Sequence, residues 1–386
     1  MLAKKHYKLN AKGDTLHISK LARTHKQEDA MVINATVGAL YDDEHRFFEY
    51  ETVIKGIKAA PTQYPYMTSA GDPEVAYAWL KHMFGDALPK TYEAMLTIGG
   101  TGALSLAMDT YLDDGDVLIS GVPDWTNYQN LAEHAKLTYI TYPLFNASKQ
   151  FNLEGLKQLL ETHLDKKIMI LINDPAQNPT GYSMDEKTWK DVFELIHVYN
   201  KKRNIVLLID TAYIDFADDR SIALNVLKTY QHPVMTLIAG SASKSFSLYG
   251  ARLGILAAFG NEIELQSFKE ASLYAARGTY SLPSNFGINV LKYVFDHHDA
   301  YQKERIQAKD MLQSRRDALI NILEKKHIEY YPQMHGFFVT LVTQDPFPLY
   351  EALKLKKIYA IPVHHGLRIA LSSLSLEDIA WMKTRL

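Results

Sequence analysis

One lysine in this sequence lies among residues suited to nucleophilic chemistry. Ser241, Ala242 and Ser243 precede Lys244, and Arg252 follows a few residues later. A desolvated amine beside another cation has a lowered pKa and can attack an aldehyde. An arginine together with serine hydroxyls also suits a phosphate dianion. For any single lysine a solvated loop position is the more frequent case, so this segment alone leaves both interpretations open.

A glycine-rich turn, Gly99-Gly100-Thr101-Gly102, follows an apolar run and begins a predicted helix. Glycines there let the backbone approach a ligand closely, and the free N–H groups at a helix start attract phosphate. The hydroxyl of Thr101 could add a further donor. A tight turn without a ligand would use the same residues. The turn is not a P-loop, because no Gly-Lys-Ser/Thr follows it.

Two further segments carry polar side chains beyond apolar runs. Asp210 ends the run 205–209, with Tyr213 three residues later, and Asn178 begins an Asn-Pro-Thr-Gly segment. A carboxylate at the end of a buried strand is costly unless it pairs with a cation or a donor. A helix N-cap at Asp210 and an ordinary turn at Asn178 are equally simple explanations.

The elements that must position these residues alternate along the chain. Between about residues 90 and 260, short β-rich apolar runs alternate with segments such as 184–201, which carries apolar residues at helical spacing. Apolar strands between helices are typical of a mainly parallel sheet covered on both faces. Ligands of such sheets lie beyond the carboxyl ends of the strands. The predicted strands are 94–98, 116–121, 137–143, 167–173, 205–210, 234–239 and 253–259.

Towards the C-terminus the pattern changes. One long helical stretch, 283–326, is interrupted near 296–299 and is followed by short strands and helices. This favours a second, smaller domain that also includes the N-terminal residues. We therefore predict an α/β fold with a three-layer large domain, built on a mainly parallel sheet, at 46–295. The small α+β domain is expected at 1–45 and 296–386.

Composition excludes several classes of function. The 386 residues carry a formal net charge of −2, which gives no electrostatic case for a nucleic acid or an anionic membrane surface as partner. Because cysteine is absent, disulfides, thiolate nucleophiles and cysteine metal sites are excluded, and we expect no metal. The first ten residues are polar, unlike a signal peptide, and no apolar run is long enough to span a bilayer. We expect a cytoplasmic protein.

Taken in chain order, these motifs form a recognisable set. A glycine turn, an aromatic residue, Asn-Pro-Thr-Gly, Asp with Tyr, and Ser-x-x-Lys with a trailing Arg together resemble the fold-type I pyridoxal 5′-phosphate aminotransferases. The likeness is strongest to the aspartate and aromatic amino acid aminotransferase subgroup, and it extends from 34–38 to the region of Arg368. It implies a pyridoxal-phosphate enzyme that moves an amino group between an aspartate-like or aromatic L-amino acid and a 2-oxo acid such as 2-oxoglutarate.

The resemblance also implies how the cofactor is bound. Lys244 would hold it as a Schiff base and shuttle a proton. Asp210 would face the ring nitrogen and keep it protonated, while Tyr213 and Asn178 would donate to the phenolate oxygen. Trp125 would stack on the ring. The phosphate would be bound by Gly100, Thr101, Ser241, Arg252 and Tyr66. The last of these would reach the phosphate of a neighbouring subunit, so a homodimer with shared active sites is expected.

Substrate binding is implied for a second set of residues. Arg368 would clamp the α-carboxylate, because a planar guanidinium binds both oxygens at once. Arg277 would bind the distal carboxylate of dicarboxylic substrates across the dimer, although a surface arginine at a helix end is the simpler alternative. Val37 and Gly38 are expected to contact the substrate together with Asn178.

Two positions depart from the closest relatives, and alternative chemistries remain. Tyr128 and Asn173 stand where histidines are frequent near the cofactor, which could retune the ring nitrogen. A β-lyase or β-decarboxylase acting on a related amino acid would use the same lysine, aspartate and phosphate site. A cofactor-sensing transcription regulator is disfavoured, because only about 30 residues precede Asn34 and they carry no basic recognition helix.

Overall fold

The computed structural model describes residues 15–163, 165–202, 204–230 and 234–386. The polar start of the sequence lies outside the described residues. Two compact units are present. The larger contains 49–310 and 334–336, and the smaller contains the described residues up to 48 with 311–333 and 337–386. The large unit ends later than the expected 46–295, because the helix His298–Lys325 is continuous and contains residues of both units.

The described residues form twelve strands. In chain order they are β1 Ile33–Asn34, β2 Glu93–Thr97, β3 Val117–Val122, β4 Thr138–Pro143, β5 Ile168–Asn173, β6 Ile205–Asp210, β7 Thr236–Ser241, β8 Gly254–Phe259, β9 Phe338–Val342, β10 Ile358–Tyr359, β11 Ile361–Val363 and β12 Gly366–Ala370. The seven strands predicted before residue 260 are confirmed as β2–β8, each within two residues of its predicted bounds.

The described α-helices are α1 Thr15–Glu28, α2 Glu51–Ala59, α3 Pro73–Phe84, α4 Gly99–Tyr111, α5 Asn127–His134, α6 Leu153–His163, α7 Glu186–Tyr199, α8 Ile222–Leu227, α9 Ala242–Ser245, α10 Glu262–Thr279, α11 Asn285–Asp296, α12 His298–Lys325, α13 Pro346–Leu355 and α14 Leu376–Arg385. The predicted interruption of the long helical stretch is the break between α11 and α12. Among the described residues, no helix combines the length and the apolarity needed to cross a membrane.

The larger unit is built on one seven-stranded sheet in the order β2-β8-β7-β6-β5-β3-β4. The pairs β3–β4, β3–β5, β5–β6 and β6–β7 are parallel, whereas β8 is antiparallel to both β7 and β2. The strands β5, β7 and β8 are almost completely buried, as expected for a sheet covered on both faces. The predicted mainly parallel α/β sheet is confirmed.

The smaller unit is an α+β structure. Its antiparallel sheet has the order β11-β12-β9, and the short strand β1 pairs in parallel with β10. The fully buried Arg315 on α12 forms an ion pair with Asp43 at 2.8 Å within this unit. Because a buried guanidinium is costly without an anion, this pair fixes α12 against the segment that follows β1.

The sheet topology of the larger unit gathers the polar strand ends. Asn173, Asp210 and Ser241 are the last residues of β5, β6 and β7, and Asn173 and Asp210 are partners in the strand register. Because β2 is antiparallel to β8, and β8 to β7, β2 runs in the same direction as β7. The glycine turn that follows β2 therefore begins α4 at the same edge of the sheet.

Replacing Gly254 by Ala tests how closely this turn packs. A Cβ at Gly254, the first residue of β8, would lie 2.4 Å from the carbonyl carbon of Gly99. We expect the free energy of unfolding to fall by about 1–3 kcal/mol, since the start of α4 must move away from β8. Urea denaturation measures the change. Gly250→Ala is the matched control, because a Cβ there meets no atom within 4 Å. Equal stabilities of the two variants would contradict the expectation.

Candidate active site

A cavity of about 240 Å³ lies in the larger unit at the carboxyl ends of its central strands. It gathers all of the predicted cofactor-binding residues except Tyr66, together with several residues that were not predicted. The lining residues are Gly100, Thr101, Leu104, Trp125, Tyr128, Asn173, Asn178, Asp210, Ala212, Tyr213, Ser241, Ser243, Lys244, Tyr249 and Arg252. The roles that the sequence assigns to these residues remain predictions, but their convergence in one cavity is observed.

The acidic group of the cavity is Asp210, at the end of the central strand β6. Its side chain is buried and accepts two hydrogen bonds, from the Tyr128 hydroxyl at 2.7 Å and from the backbone N–H of Ala212 at 3.0 Å. Burial raises the pKa of the Asp210 carboxyl to about 6, although both hydrogen bonds act in the opposite direction. Burial also raises the pKa of the Tyr128 phenol, which therefore remains a neutral donor.

The amine of the cavity belongs to Lys244 in the short helix α9. The side chain is half-buried, and its Nζ lies 4.9 Å from the centre of the Tyr249 ring and 6.0 Å from that of Tyr213. Aromatic faces at these distances attract a cation and limit where the amine can go. Ser241 is the N-cap of α9, and its Oγ accepts a hydrogen bond from the backbone N–H of Ser243. The helix start thus fixes Lys244 relative to the end of β7.

Another part of the cavity wall is a cradle for an anion. The first turn of α4 lies so close to the loop around Arg252 that a Cβ on Gly99 would be 2.7 Å from the Arg252 Nη2. A Cβ on Gly100 would be 2.9 Å from that of Ser241. The hydroxyls of Ser241 and Ser243, the Arg252 guanidinium and the N–H groups at the start of α4 are donors of the kind that a phosphate dianion requires. The donor set therefore fits a phosphorylated ligand.

Asn173 connects the central strands to the loop that carries Asn178. Its Nδ2 donates to the backbone oxygen of Asp210 at 2.7 Å, and its Oδ1 accepts from the backbone N–H of Asn178 at 2.7 Å. Trp125 lines the cavity and meets the Tyr128 ring edge-on, with centroids 5.5 Å apart. Tyr128 and Asn173, which depart from the family pattern expected from the sequence, are thus both part of the hydrogen bonding around Asp210.

Several predicted residues do not line this cavity. Tyr66 is 95% exposed, and the exposed Arg277 at the end of α10 donates to the Ser281 hydroxyl at 2.8 Å. Val37, Gly38 and Arg368 belong to the smaller unit. Within that unit the buried Arg368 donates to the backbone oxygen of Thr36 at 3.0 Å and lies over the Phe338 ring at 4.5 Å. No described group of three or more acidic or histidine side chains could hold a metal ion.

Three lining residues were missed by the sequence reasoning: Leu104, Ala212 and Tyr249. Tyr249 is the most informative of them because its ring lies beside the Lys244 amine. In the sequence, only its position three residues before Arg252 connects it with the predicted site. That spacing is not distinctive for a loop tyrosine in a chain that contains 24 tyrosines, so it did not identify Tyr249.

Replacing Tyr128 by Phe tests its bond to Asp210. We expect the pKa of Asp210 to rise above about 6, because the ionised carboxylate loses a donor while its burial is unchanged. A rise of about one pH unit corresponds to one hydrogen bond to a charged group. Carboxyl ¹³C NMR of the cofactor-free protein follows the titration, with Asp210→Asn to assign the signal. Tyr111→Phe is the control, and an unchanged midpoint in Tyr128→Phe would show that the bond is unimportant.

Comparison with known proteins shows the family to which the chain belongs. The model of the family described as aminotransferase class I and II matches residues 30–382. A tyrosine aminotransferase of Klebsiella pneumoniae is 27% identical over 352 residues, which cover 84% of this chain and 86% of the relative. An aspartate aminotransferase of Pseudomonas aeruginosa is 28% identical over 374 residues, which cover 90% of each.

A solved structure shows the same fold. The crystal structure of an aminotransferase from Anaerococcus prevotii superposes with a TM-score of 0.93 at 26% sequence identity, and the match covers 100% of this chain and 98% of that one. Enzymes of the family use pyridoxal phosphate, and the amine, the buried carboxylate and the anion cradle of the cavity fit that cofactor. The chain therefore belongs to the class I and II aminotransferases and is a pyridoxal-phosphate-dependent enzyme that acts on amino acids and 2-oxo acids.

Proposed function

We propose that the cavity around Lys244 is the transamination site and that its residues have the roles expected from the sequence. The observation that carries the proposal is the presence of three complementary groups in one cavity: an amine, a buried carboxylate and an anion cradle. Pyridoxal phosphate, when bound, supplies an aldehyde that an amine can capture and a ring that accepts electrons. Each of the three groups matches one part of that molecule.

Asp210 and its neighbours would act on the ring. The ionised carboxylate would pair with the protonated ring nitrogen, and the hydroxyl of Tyr128 would hold the carboxylate in place. Tyr213 and Asn178 would donate hydrogen bonds to the phenolate oxygen, and Trp125 would cover one face of the ring. Because the pKa of Asp210 is about 6, the carboxylate is largely ionised at neutral pH even before it meets a cation.

The phosphate would lie in the cradle at the start of α4. Gly100 and Thr101 would contribute backbone N–H groups and a hydroxyl, and Ser241 and Arg252 would contribute the remaining donors. With the phosphate fixed, the Lys244 Nζ would take a proton from the substrate Cα and deliver it to the C4′ carbon of the cofactor. The aromatic faces of Tyr213 and Tyr249 would restrict the path of the amine between these two positions.

For the substrate, we propose an amino acid with an acidic or aromatic side chain and an oxo acid such as 2-oxoglutarate. Support comes from the two relatives, which are named for tyrosine and aspartate. Arg368 would bind the α-carboxylate, with Val37 and Gly38 near it in the same unit. The exposed Arg277 would bind the distal carboxylate of an acidic substrate in the second active site of a dimer.

We further propose that the working form is a homodimer with shared sites. Tyr66 is compatible with this assembly, because its side chain is 95% exposed and lies outside the cavity of its own subunit, where a partner can reach it. Its hydroxyl would reach the phosphate cradle of the neighbouring subunit. The cytoplasmic location expected from the sequence stays a prediction, and assaying the activity in separated cell fractions tests it.

Lys244→Ala is the decisive test of the active site. We expect turnover to fall by about a thousandfold or more, since both capture of the cofactor and proton transfer use this amine. Borohydride reduction of the wild-type holoenzyme followed by peptide mass spectrometry should place the cofactor on Lys244. Lys187→Ala, at an exposed site on α7, is the control and should keep full activity. Label on another lysine would refute the assignment.

The same assays separate two chemistries. Transamination releases a 2-oxo acid and aminates the acceptor, whereas β-elimination releases ammonia and an oxo acid without an acceptor. We expect product formation to require 2-oxoglutarate. Steady release of ammonia in its absence would favour the lyase alternative.

Arg277→Ala tests the acidic substrate and the dimer together. We expect activity with aspartate to fall by about a hundredfold, because one charged hydrogen-bonded contact is lost, while activity with an aromatic donor is retained. Refolding a 1:1 mixture of the Arg277→Ala and Lys244→Ala variants tests whether Arg277 acts across the dimer. If it does, half of the dimers contain both variants and each of these has one complete site out of two, so about a quarter of the wild-type aspartate activity is restored. Undiminished aspartate activity of Arg277→Ala would exclude this arginine, and failure of the mixture would exclude its action across the dimer.

A further inference from the structure

A second buried acid lies on the segment that follows Asp210 but outside the cavity. The side chain of Asp215 has no exposed surface, and all of its polar neighbours come from other parts of the larger unit or from the following loop. We call this cluster the Asp215 network. Its members are His82 on α3, Asp215, Arg220, and Tyr301, Gln302 and Arg305 on α12.

The network surrounds Asp215 with donors. His82 Nε2 lies 2.8 Å from its Oδ1, and Arg220 Nη1 donates to the same oxygen at 2.9 Å. Arg305 Nη1 donates to the Asp215 backbone oxygen at 2.6 Å. Burial alone would raise the pKa of the Asp215 carboxyl, but His82, Arg220 and Arg305 together hold it well below its ordinary value. Asp215 is therefore a permanent anion, and its contacts with His82 and Arg305 hold α3 and α12 against the 3₁₀ turn Ile214–Phe216.

One hydroxyl links this network to α9, the short helix that carries Lys244 and that we call the lysine helix. The Tyr301 Oη lies 2.5 Å from the backbone oxygen of Ser245 and 3.1 Å from the Asp215 Oδ2. A phenol has a single proton, so the shorter contact to Ser245 is the principal hydrogen bond, and the carboxylate shares the proton at longer range. Burial and the Asp215 charge raise the pKa of Tyr301, which keeps that proton in place. Ser245 is the residue directly after Lys244.

Packing reinforces the same link. Phe246, the next residue, is fully buried, and its ring lies 5.0 Å from the Tyr301 ring and 5.7 Å from that of His82. On the other side of the network, Asp215 lies in the 3₁₀ turn Ile214–Phe216 that directly follows Tyr213. The network thus contacts the backbone just beyond Lys244 and just beyond Tyr213.

The lysine helix needs such support from outside. The helix α9 contains only the four residues Ala242–Ser245, and a single turn has little stability of its own. The proposed roles require the Lys244 amine and the Tyr213 hydroxyl to act on the same small ring, where an error of about 1 Å lowers rates by up to about a hundredfold. A rigid element must therefore set the distance between α9 and the turn after Tyr213.

We propose that Tyr301 and Asp215 are positioning residues of the transamination, which hold the backbone beyond Lys244 and the turn beyond Tyr213 in a fixed relative position. Neither side chain lines the cavity. The inference rests on the proposed roles of Lys244 and Tyr213. It adds a part of α12 to the set of elements on which catalysis depends.

Tyr301→Phe in the holoenzyme tests this inference. The change keeps the ring and removes the hydroxyl that joins α12 to Ser245. We expect kcat per bound cofactor to fall about tenfold, with KM for the amino donor within about twofold of wild type. We also expect the pH midpoint of the visible absorbance of the bound cofactor to rise, because a displaced Tyr213 stabilises the phenolate less.

Tyr111→Phe is the matched control. Its hydroxyl is also buried on the larger unit, and within the described part of the chain it has no hydrogen-bond partner. Wild-type kcat and a wild-type absorbance midpoint are expected for this variant. A purely structural role of Tyr301 would lower the melting temperature but leave both quantities, measured per bound cofactor, unchanged. That result would overturn the proposal.

A second variant covers the case in which Tyr301→Phe does not fold. Asp215→Asn keeps the shape of the side chain and removes its charge, and the same fall in kcat and rise in midpoint are expected, while unchanged values would overturn the proposal. Borohydride labelling of the wild-type enzyme runs in parallel. If the label is absent from Lys244, the proposed active site fails; if the label is on Lys244 and Tyr301→Phe behaves as wild type, only the positioning role fails.

Discussion

Burial of the Asp210 carboxylate is the constraint on which the rest of the active site depends. Asp210 ends β6, the middle strand of the seven-stranded sheet, and its side chain is buried. A buried anion is costly unless donors or a cation compensate for the lost water. The protein supplies a phenol and a backbone amide, both neutral, and these leave the pKa of Asp210 at about 6. Such a carboxylate has the greatest affinity for a ligand that brings a positive charge, as the protonated ring nitrogen of pyridoxal phosphate does.

Two buried acids on the same segment, Asp210 and Asp215, differ in the charge of their partners. Asp210 and Asp215 are both buried and lie five residues apart, yet the pKa of Asp210 is raised and that of Asp215 is lowered. The difference lies in the partners, because Asp215 has His82, Arg220 and Arg305 around it. A fully compensated carboxylate serves as a permanent structural anion. A carboxylate with only neutral donors remains able to respond to what binds in the cavity.

The cavity therefore contains groups of both signs. Its wall includes the Asp210 carboxyl and the cradle of Gly100, Ser241 and Arg252, and the Lys244 amine lies near the rings of Tyr213 and Tyr249. Pyridoxal phosphate has the complementary arrangement of a ring nitrogen that can carry positive charge and a phosphate that carries negative charge. The tight approach of Gly99 to Arg252 and of Gly254 to Gly99 leaves no room for a Cβ in the wall that forms the cradle. The hydrogen bond from Tyr301 on α12 to the backbone oxygen of Ser245 connects the helix that carries Lys244 to the rest of the larger unit.

The sequence by itself determined the strands of the large sheet and nearly all of the cofactor cavity. Asp210 and Ser241 end strands and Gly100 begins the helix after one, so parallel strand topology brings these three to one edge of the sheet. The other cofactor residues followed from the resemblance that the motifs carry together, since each motif alone left a simpler interpretation open. Only the tertiary structure decided which side chains support them. Tyr128 and Asp210 are 82 residues apart, and Tyr301 and Ser245 are 56 apart. No local pattern marks a tyrosine as the donor to one buried oxygen among many. Such pairs form only when packing brings distant segments together and burial makes an unpaired polar group costly.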